Sequence, residues 1–392
     1  MNEVFESLKV YIPFNAIPSL VVAFGLLALL GVLLTFGKKL DSAVQLERFG
    51  IPMALLFGFF GLFIGPYGPL PLLPESVTDV WVGLPTPLLA LVFATLMIGR
   101  PIPSAKRLWQ PVADQALLAF FLGFGQYLVG GLAVLVILIP YFDVNPLMGC
   151  LIEVGFEGGH GAASIMGNSF EKLGFSSGLD LGLAMATIGL LSSTLIGSFL
   201  VIIARMKGLL VIQSQKVNLI STDMEENLNI AYLFKKLSIN LGLAGCAVSF
   251  GFAMLLFIRS LSPFFGEIYK EVAFAFPVFP LALLGSLFIR FFLEKFNLEH
   301  FVSSILQREI GILSTDLLIT TAMAGLNVPL LVKYWLPLTV LAVVGLIWNL
   351  IGMFVFGRLF IKDDWFERSL TEFGNATGVA ASGLLLLRLA DP

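Results

Sequence analysis

Residues 152–170, "IEVGFEGGHGAASIMGNSF", place five glycines, two glutamates and a histidine between two long apolar runs, at about 114–140 and 180–204. Backbone that is not helical cannot face lipid, because each unpaired amide there costs several kcal/mol; at membrane depth it must be enclosed by protein or line a cavity. Gly158, Gly159 and Gly161 permit a tightly turned, closely packed backbone. The segment therefore reads as a hairpin that dips into the bilayer and returns. This reading requires a membrane around it, and the rest of the chain supplies one. Of the 392 residues, 58% are hydrophobic and 12% charged, about half the charge of a soluble domain. The mean hydropathy is +0.95. The run Ile17 to Phe36 holds 20 residues with no charge, enough to cross a bilayer. Further apolar runs at about 51–65, 80–99, 114–140, 180–204, 237–258, 273–293, 310–332 and 334–361 bring the expected spans to nine. They are apolar all round rather than on one face, as membrane helices are.

The basic residues set an orientation. Seventeen Lys and Arg follow the odd-numbered spans and five fall on the other side, so the odd loops are expected in the cytoplasm and the N-terminus outside. The start, "MNEVFESLK", is acidic where a secretory signal needs a cationic region. Residues 1–16 instead read as an amphipathic lead-in with Phe5, Leu8 and Ile12 on one side. Cys150 and Cys246 lie far apart beside apolar segments and support neither a disulfide framework nor a zinc site. No P-loop, hydrolase triad or metal-ligand cluster is present in the sequence, so neither primary pumping nor membrane hydrolysis finds its chemistry here, and no enzyme activity is expected.

A polar linker at 207–232 divides the chain into similar parts. The first, 17–206, has five spans and the glycine-rich hairpin at about 147–176; the second, 233–392, has four spans and ends in a second glycine-containing segment, "EFGNATGVAASGLLLL", within a second hairpin at about 366–390. Sliding one hairpin on the other by 217 residues pairs Phe156 with Phe373, Gly161 with Gly378 and Ala163 with Ala380. An odd number of spans per part makes the two parts inverted in the membrane, an architecture of secondary transporters in which broken helices meet near the midplane. There, helix N-termini receive anions and unwound carbonyls receive cations. The counterpart of the 180–204 span is expected beyond Pro392.

The tetrapeptide Gly158-Gly159-His160-Gly161, the following "DLGLAMATIGLLSSTLIGSFLV" and the paired-repeat plan resemble the bacterial sodium/glutamate symporters, and the plan covers nearly the whole chain. Two positions depart from the family pattern: Ala162 stands where a hydroxyl is expected, and Asn375-Ala376-Thr377-Gly378 replaces a glycine- and histidine-containing stretch. These departures mark a divergent branch and leave the substrate less defined than the fold. The resemblance implies an all-α membrane protein of two inverted five-helix repeats in a bacterial inner membrane. It further implies a homodimer whose hairpin-bearing domains move elevator-fashion against a fixed scaffold. Glutamate and sodium are its implied small partners, with sodium as the coupling ion, no other cofactor and no nucleic acid. Aspartate or another dicarboxylate, with sodium or protons, is the alternative cargo; a channel or a receptor on the same fold is the alternative of another kind.

For the substrate, the candidates are Gly158, Gly159, His160, Gly161 and Ser164 in the first hairpin and Asn375, Thr377 and Gly378 in the second. His160 either hydrogen-bonds a substrate carboxylate or caps the glycine-rich turn. For the ion, the candidates are Asp316 with Ser314 and Thr315, then Gln126, Asn349 and Ser382. Asp316 stands seven residues into an apolar run, about 9 Å along a helix, and an intramembrane carboxylate is a functional hypothesis by default. Its competing reading is an interfacial acid paired with Arg308. Gln126 and Asn349 sit in the middle of apolar helices, as cargo ligands or as interhelical bonds. Glu153 and Glu157 precede the glycines in a supporting role, and Asp180 opens a helix whose dipole it complements. Pro85, Pro87 and Pro329 are expected to kink or interrupt their helices.

Overall fold

The computed structural model describes residues 53–72, 80–81, 83–102, 105–208 and 230–390. The expected amphipathic lead-in, the first expected span and most of the linker lie outside these residues. The described residues are helical and contain no strand. In chain order the helices are α1 (Met53–Ile64), α2 (Pro85–Ile98), α3 (Ala105–Ala133), α4 (Leu151–Phe156), α5 (Gly159–Lys172), α6 (Gly178–Met206), α7 (Ile230–Ser260), α8 (Ser262–Ala275), α9 (Phe279–Lys295), α10 (Ser304–Ala324), α11 (Val328–Lys333), α12 (Trp335–Ile351) and α13 (Trp365–Ala390).

Four of these stretches are long and apolar enough to cross a membrane: Val112–Phe142, Gly178–Met206, Phe234–Ser260 and Trp335–Phe360. α8 and α9 add a fifth if the pair, bent by 94°, is counted as one span. The expected runs at 51–65 and 80–99 form shorter helices of 12 and 14 residues. The run at 310–332 is two helices, because α10 ends at Ala324 and Asn327 starts α11 by accepting a hydrogen bond from the Leu330 amide at 3.3 Å. The prolines differ from expectation in their effect. Pro85 is the first residue of α2 and Pro329 the second of α11, positions whose amides have no intrahelical partner, so they open helices rather than kink them.

The chain forms two compact units, and both draw on the two sequence halves. Among described residues the first unit holds 86–102 and 230–317, and the second holds 53–85, 105–208 and 318–390. In the first unit α7 and α9 cross with little between them: a Cβ added to Gly251 would lie 2.5 Å from the Ala282 nitrogen. Ala94, Ile98, Leu255 and Leu281 fill the core around that crossing. In the second unit the central element is α6, whose buried face runs through Leu181, Met185, Gly189, Ser193 and Gly197. Small residues there admit other backbones closely, the usual means of helix association where no hydrophobic gain separates protein from lipid.

Two internal features recur in the second unit. α3 passes through a π turn at Val134–Leu138 and continues to Phe142; α12 passes through a π turn at Gly352–Phe356 and continues to Phe360. The two turns lie 218 residues apart. Each is followed by a broken helix: α4 and α5 flank a break at Glu157–Gly158, and α13 contains one at Gly378–Val379. The residues with left-handed φ, Gly159 and Val379, are 220 apart, so the structure pairs the two segments three residues further along than the sequence match of 217.

Candidate functional site

The two breaks meet. A Cβ built on Gly159 would stand 2.3 Å from Cγ1 of Val379, so Gly159 accepts the valine only because it has no side chain. Gly159 also has φ of 64°, a conformation that glycine adopts without strain. α6 holds both segments: a Cβ on Gly189 would meet the Thr377 carbonyl at 2.2 Å and Phe156 Cδ1 at 2.7 Å, and one turn on, Ser193 Oγ lies where a Cβ on Gly378 would be.

At the first break, α4 ends with the Gly158 amide bonded to the Glu153 carbonyl at 2.9 Å. α5 then begins with Gly159, His160 and Gly161, the residues whose amides an α-helix leaves without intrahelical acceptors. The His160 side chain is only 4% exposed, and its Nε2 lies 3.0 Å from Thr187 Oγ1 on α6. The Thr187 hydroxyl also lies 3.0 Å from the Leu183 carbonyl, four residues back, so it joins the imidazole to the backbone of α6. Met323 Sδ is 3.2 Å from the same hydroxyl. Ser164 Oγ donates to the His160 carbonyl at 2.7 Å. His160 thus ties the start of α5 to α6, while Ser164 makes the four-back bond of helix hydroxyls within α5.

The second break is clamped by amides from two different spans. Gln126 Nε2, from α3, donates to Asn349 Oδ1 at 3.1 Å and to the Ala376 carbonyl at 2.7 Å. Asn349 Nδ2, from α12, donates to the same carbonyl at 3.1 Å and to Thr377 Oγ1 at 3.0 Å. Gln126, Asn349 and Thr377 are fully buried. One atom of the node has no partner: Gln126 Oε1 is buried without a hydrogen bond. A fully buried acceptor left open carries a desolvation penalty of about 1–3 kcal/mol, so an unfilled one at a helix break calls for an explanation. Ser382 Oγ closes the far side by donating to the Gly378 carbonyl, and Asn375 Oδ1 lies where a Cβ on Gly383 would be.

The expected ion ligands are divided between units. Gln126, Asn349 and Ser382 converge on the second break, while Ser314, Thr315 and Asp316 belong to the first unit. There Ser314 Oγ donates to the Ile310 carbonyl at 2.7 Å and Thr315 Oγ1 to the Gly311 carbonyl at 2.9 Å, the four-back pattern of helix hydroxyls.

Sequence reasoning singled out Glu153 and Glu157 but missed Glu372 and the face of α3 that all three carboxylates meet. Gln115 Nε2 donates to Glu372 Oε2 at 2.6 Å, Glu157 Oε2 lies against Gly123, and the Tyr127 hydroxyl donates to Glu153. Gln115, Gly123 and Tyr127 repeat at intervals of eight and four, about one face of a helix, and Gln115 is the one polar signal among them. Asp180, in the first turn of α6, accepts from the Asn327 amide at 3.2 Å and so also fixes the start of α11. No group of three or more His, Cys, Asp or Glu suited to a metal occurs among the described residues.

The sequence profile of one family, described as the sodium/glutamate symporter, matches residues 12–364, which takes in α3 to α12 and both π turns. No curated protein matches the chain.

Proposed function

The chain belongs to the sodium/glutamate symporter family, and we propose that it carries glutamate inward with sodium at the place where the two helix breaks meet. The observation that carries this reading is the open oxygen of Gln126. It belongs to the same node as the Ala376 carbonyl, Asn349 Oδ1 and Thr377 Oγ1, and unwound carbonyls beside neutral side-chain oxygens are how membrane transporters hold sodium. The start of α5 across from it offers amides and the positive end of a helix dipole to a carboxylate. A sodium ion at the second break lowers the electrostatic cost of an anion at the first, and this gives an order: ion, then substrate.

The paired π turns and paired breaks support two repeats with re-entrant hairpins, inverted in the bilayer with the N-terminus outside. In this reading a homodimer in a bacterial inner membrane moves the second unit, which carries both breaks, as an elevator. Asp316, Ser314 and Thr315 serve a second ion in that cycle.

Uptake of labelled L-glutamate into proteoliposomes, with and without an inward sodium gradient, tests the proposal. Accumulation that needs the gradient and is competed by glutamate above other dicarboxylates is expected. Accumulation driven equally by a proton gradient would overturn sodium coupling, and stronger competition by aspartate would overturn the choice of cargo. Asp316→Ala should lose its sodium dependence; unchanged sodium affinity would remove Asp316 from the ion path.

A further inference from the structure

α8 has three faces with different neighbours, all within the first unit. Tyr269 and Ala273, four residues apart, face the protein: the Tyr269 hydroxyl donates to the Ile258 carbonyl at 2.9 Å and Ala273 is buried. The buried Arg259 at the end of α7 reaches the last turn, donating to the carbonyls of Ala273 and Phe274 at 3.3 and 3.2 Å. Ile268 and Val272, again four apart, are 81% and 60% exposed, and Phe264 and Phe265 before the Gly266 bend are 80% and 64% exposed. Glu267, Lys270 and Glu271 occupy the remaining side.

The position of the helix identifies what covers its apolar side. α8 is joined to α7 by Leu261 alone and to α9 by three residues, so it lies at the level where both helices end. Its axis turns 94° from α9, which sets it across the direction of the neighbouring helix. Tyr269 and Arg259 prevent it from rolling. We propose that α8 is a bilayer-surface helix that holds the first unit at a fixed depth, with Phe264, Phe265, Ile268 and Val272 in the boundary between headgroups and acyl chains and its charges in water. With two acids and one base it has no cationic face, so its partner is a zwitterionic lipid surface and insertion is insensitive to salt. The fixed depth rests on the elevator reading above; the lipid contact does not.

The test is spin labelling of single cysteines at 264–275, in full-length protein with Cys150 and Cys246 replaced by serine, reconstituted in phosphatidylcholine vesicles. Collision with oxygen should peak at 264, 265, 268 and 272, and collision with a water-soluble nickel chelate at 267, 270 and 271, with labels at 268 and 272 about 5–10 Å below the phosphates. Labels at 268 and 272 that meet the nickel chelate as freely as 270 would overturn the proposal. So would labels there that meet neither reagent, since a protein surface would then cover them. The depth at 268 should be the same with sodium and glutamate as without; a shift overturns the fixed depth alone. Failure of sodium-driven uptake in the same vesicles overturns the transport reading and leaves the lipid contact standing.

Discussion

At the first break the left-handed residue is Gly159, with φ of 64°; at the second it is Val379, with φ of 67° and ψ of 168°. Glycine takes that turn freely, whereas a β-branched residue in this region is strained by about 1–3 kcal/mol. The supports differ accordingly. Behind the first break stands one imidazole, bonded to α6; around the second stand Gln126 and Asn349, with four hydrogen bonds among themselves, the Ala376 carbonyl and Thr377. At about 1 kcal/mol net for each bond, that clamp is of the size needed to hold the strained turn. One break is thus permitted by what its sequence lacks, and the other is imposed by what surrounds it.

The largest test of this contrast is Gly159→Ala. The added methyl would enter the space of Val379 Cγ1, 2.3 Å away, and would sit at positive φ. Overpacking and backbone strain together come to about 3 kcal/mol, so uptake should fall about a hundredfold. Adding Val379→Gly removes both the methyl groups and the second strain, and should restore uptake at least about tenfold; a double variant no better than the single one would break the pairing of the two residues.

A smaller effect is expected from Gln126→Ala, which takes the donor from Asn349 Oδ1 and one of two from the Ala376 carbonyl. Thermal unfolding in detergent should show a loss of about 1–3 kcal/mol, and the sodium concentration for half-maximal uptake should rise about tenfold. Unchanged sodium dependence would leave Gln126 as a clamp only. The smallest effect belongs to the first break: a double-mutant cycle with His160→Ala and Thr187→Ala should give a coupling of about 0.5–1.5 kcal/mol in stability. A coupling near zero would mean that the imidazole acts elsewhere, toward the cargo.

Much of this contrast can be read in the sequence. Five glycines inside an apolar context announce the first break, although only Gly159 uses the left-handed turn and Gly155, Gly158 and Gly167 serve close packing. Gln126 and Asn349 stand out as amides in apolar helices, and the structure joins them. Val379 gives no such signal: its left-handed turn follows Ala376, Thr377 and Gly378, which α3, α12 and α6 hold, and no local preference encodes those contacts. The carboxylates Glu153, Glu157 and Glu372 are legible singly, but Gln115, Gly123 and Tyr127, which receive them, come from a helix that reads as plain membrane span. α8 was hidden for a different reason. Its charged residues fall between two runs that each satisfy the length of a span, so a window sized for spans sees only a connecting loop.

The π turns at Val134–Leu138 and Gly352–Phe356 mean that each of these spans contains one residue more than an α-helix of the same rise would use. That surplus residue turns everything beyond it by about 100° relative to everything before it. Gln126 and Asn349 lie before the surplus, and Tyr141 and Arg358 lie after it. Deleting one residue in either turn would leave a continuous, regular helix of good propensity and still send its far end to the wrong neighbours. Both spans keep this surplus, 218 residues apart, so each has its length fixed by where its far end must point.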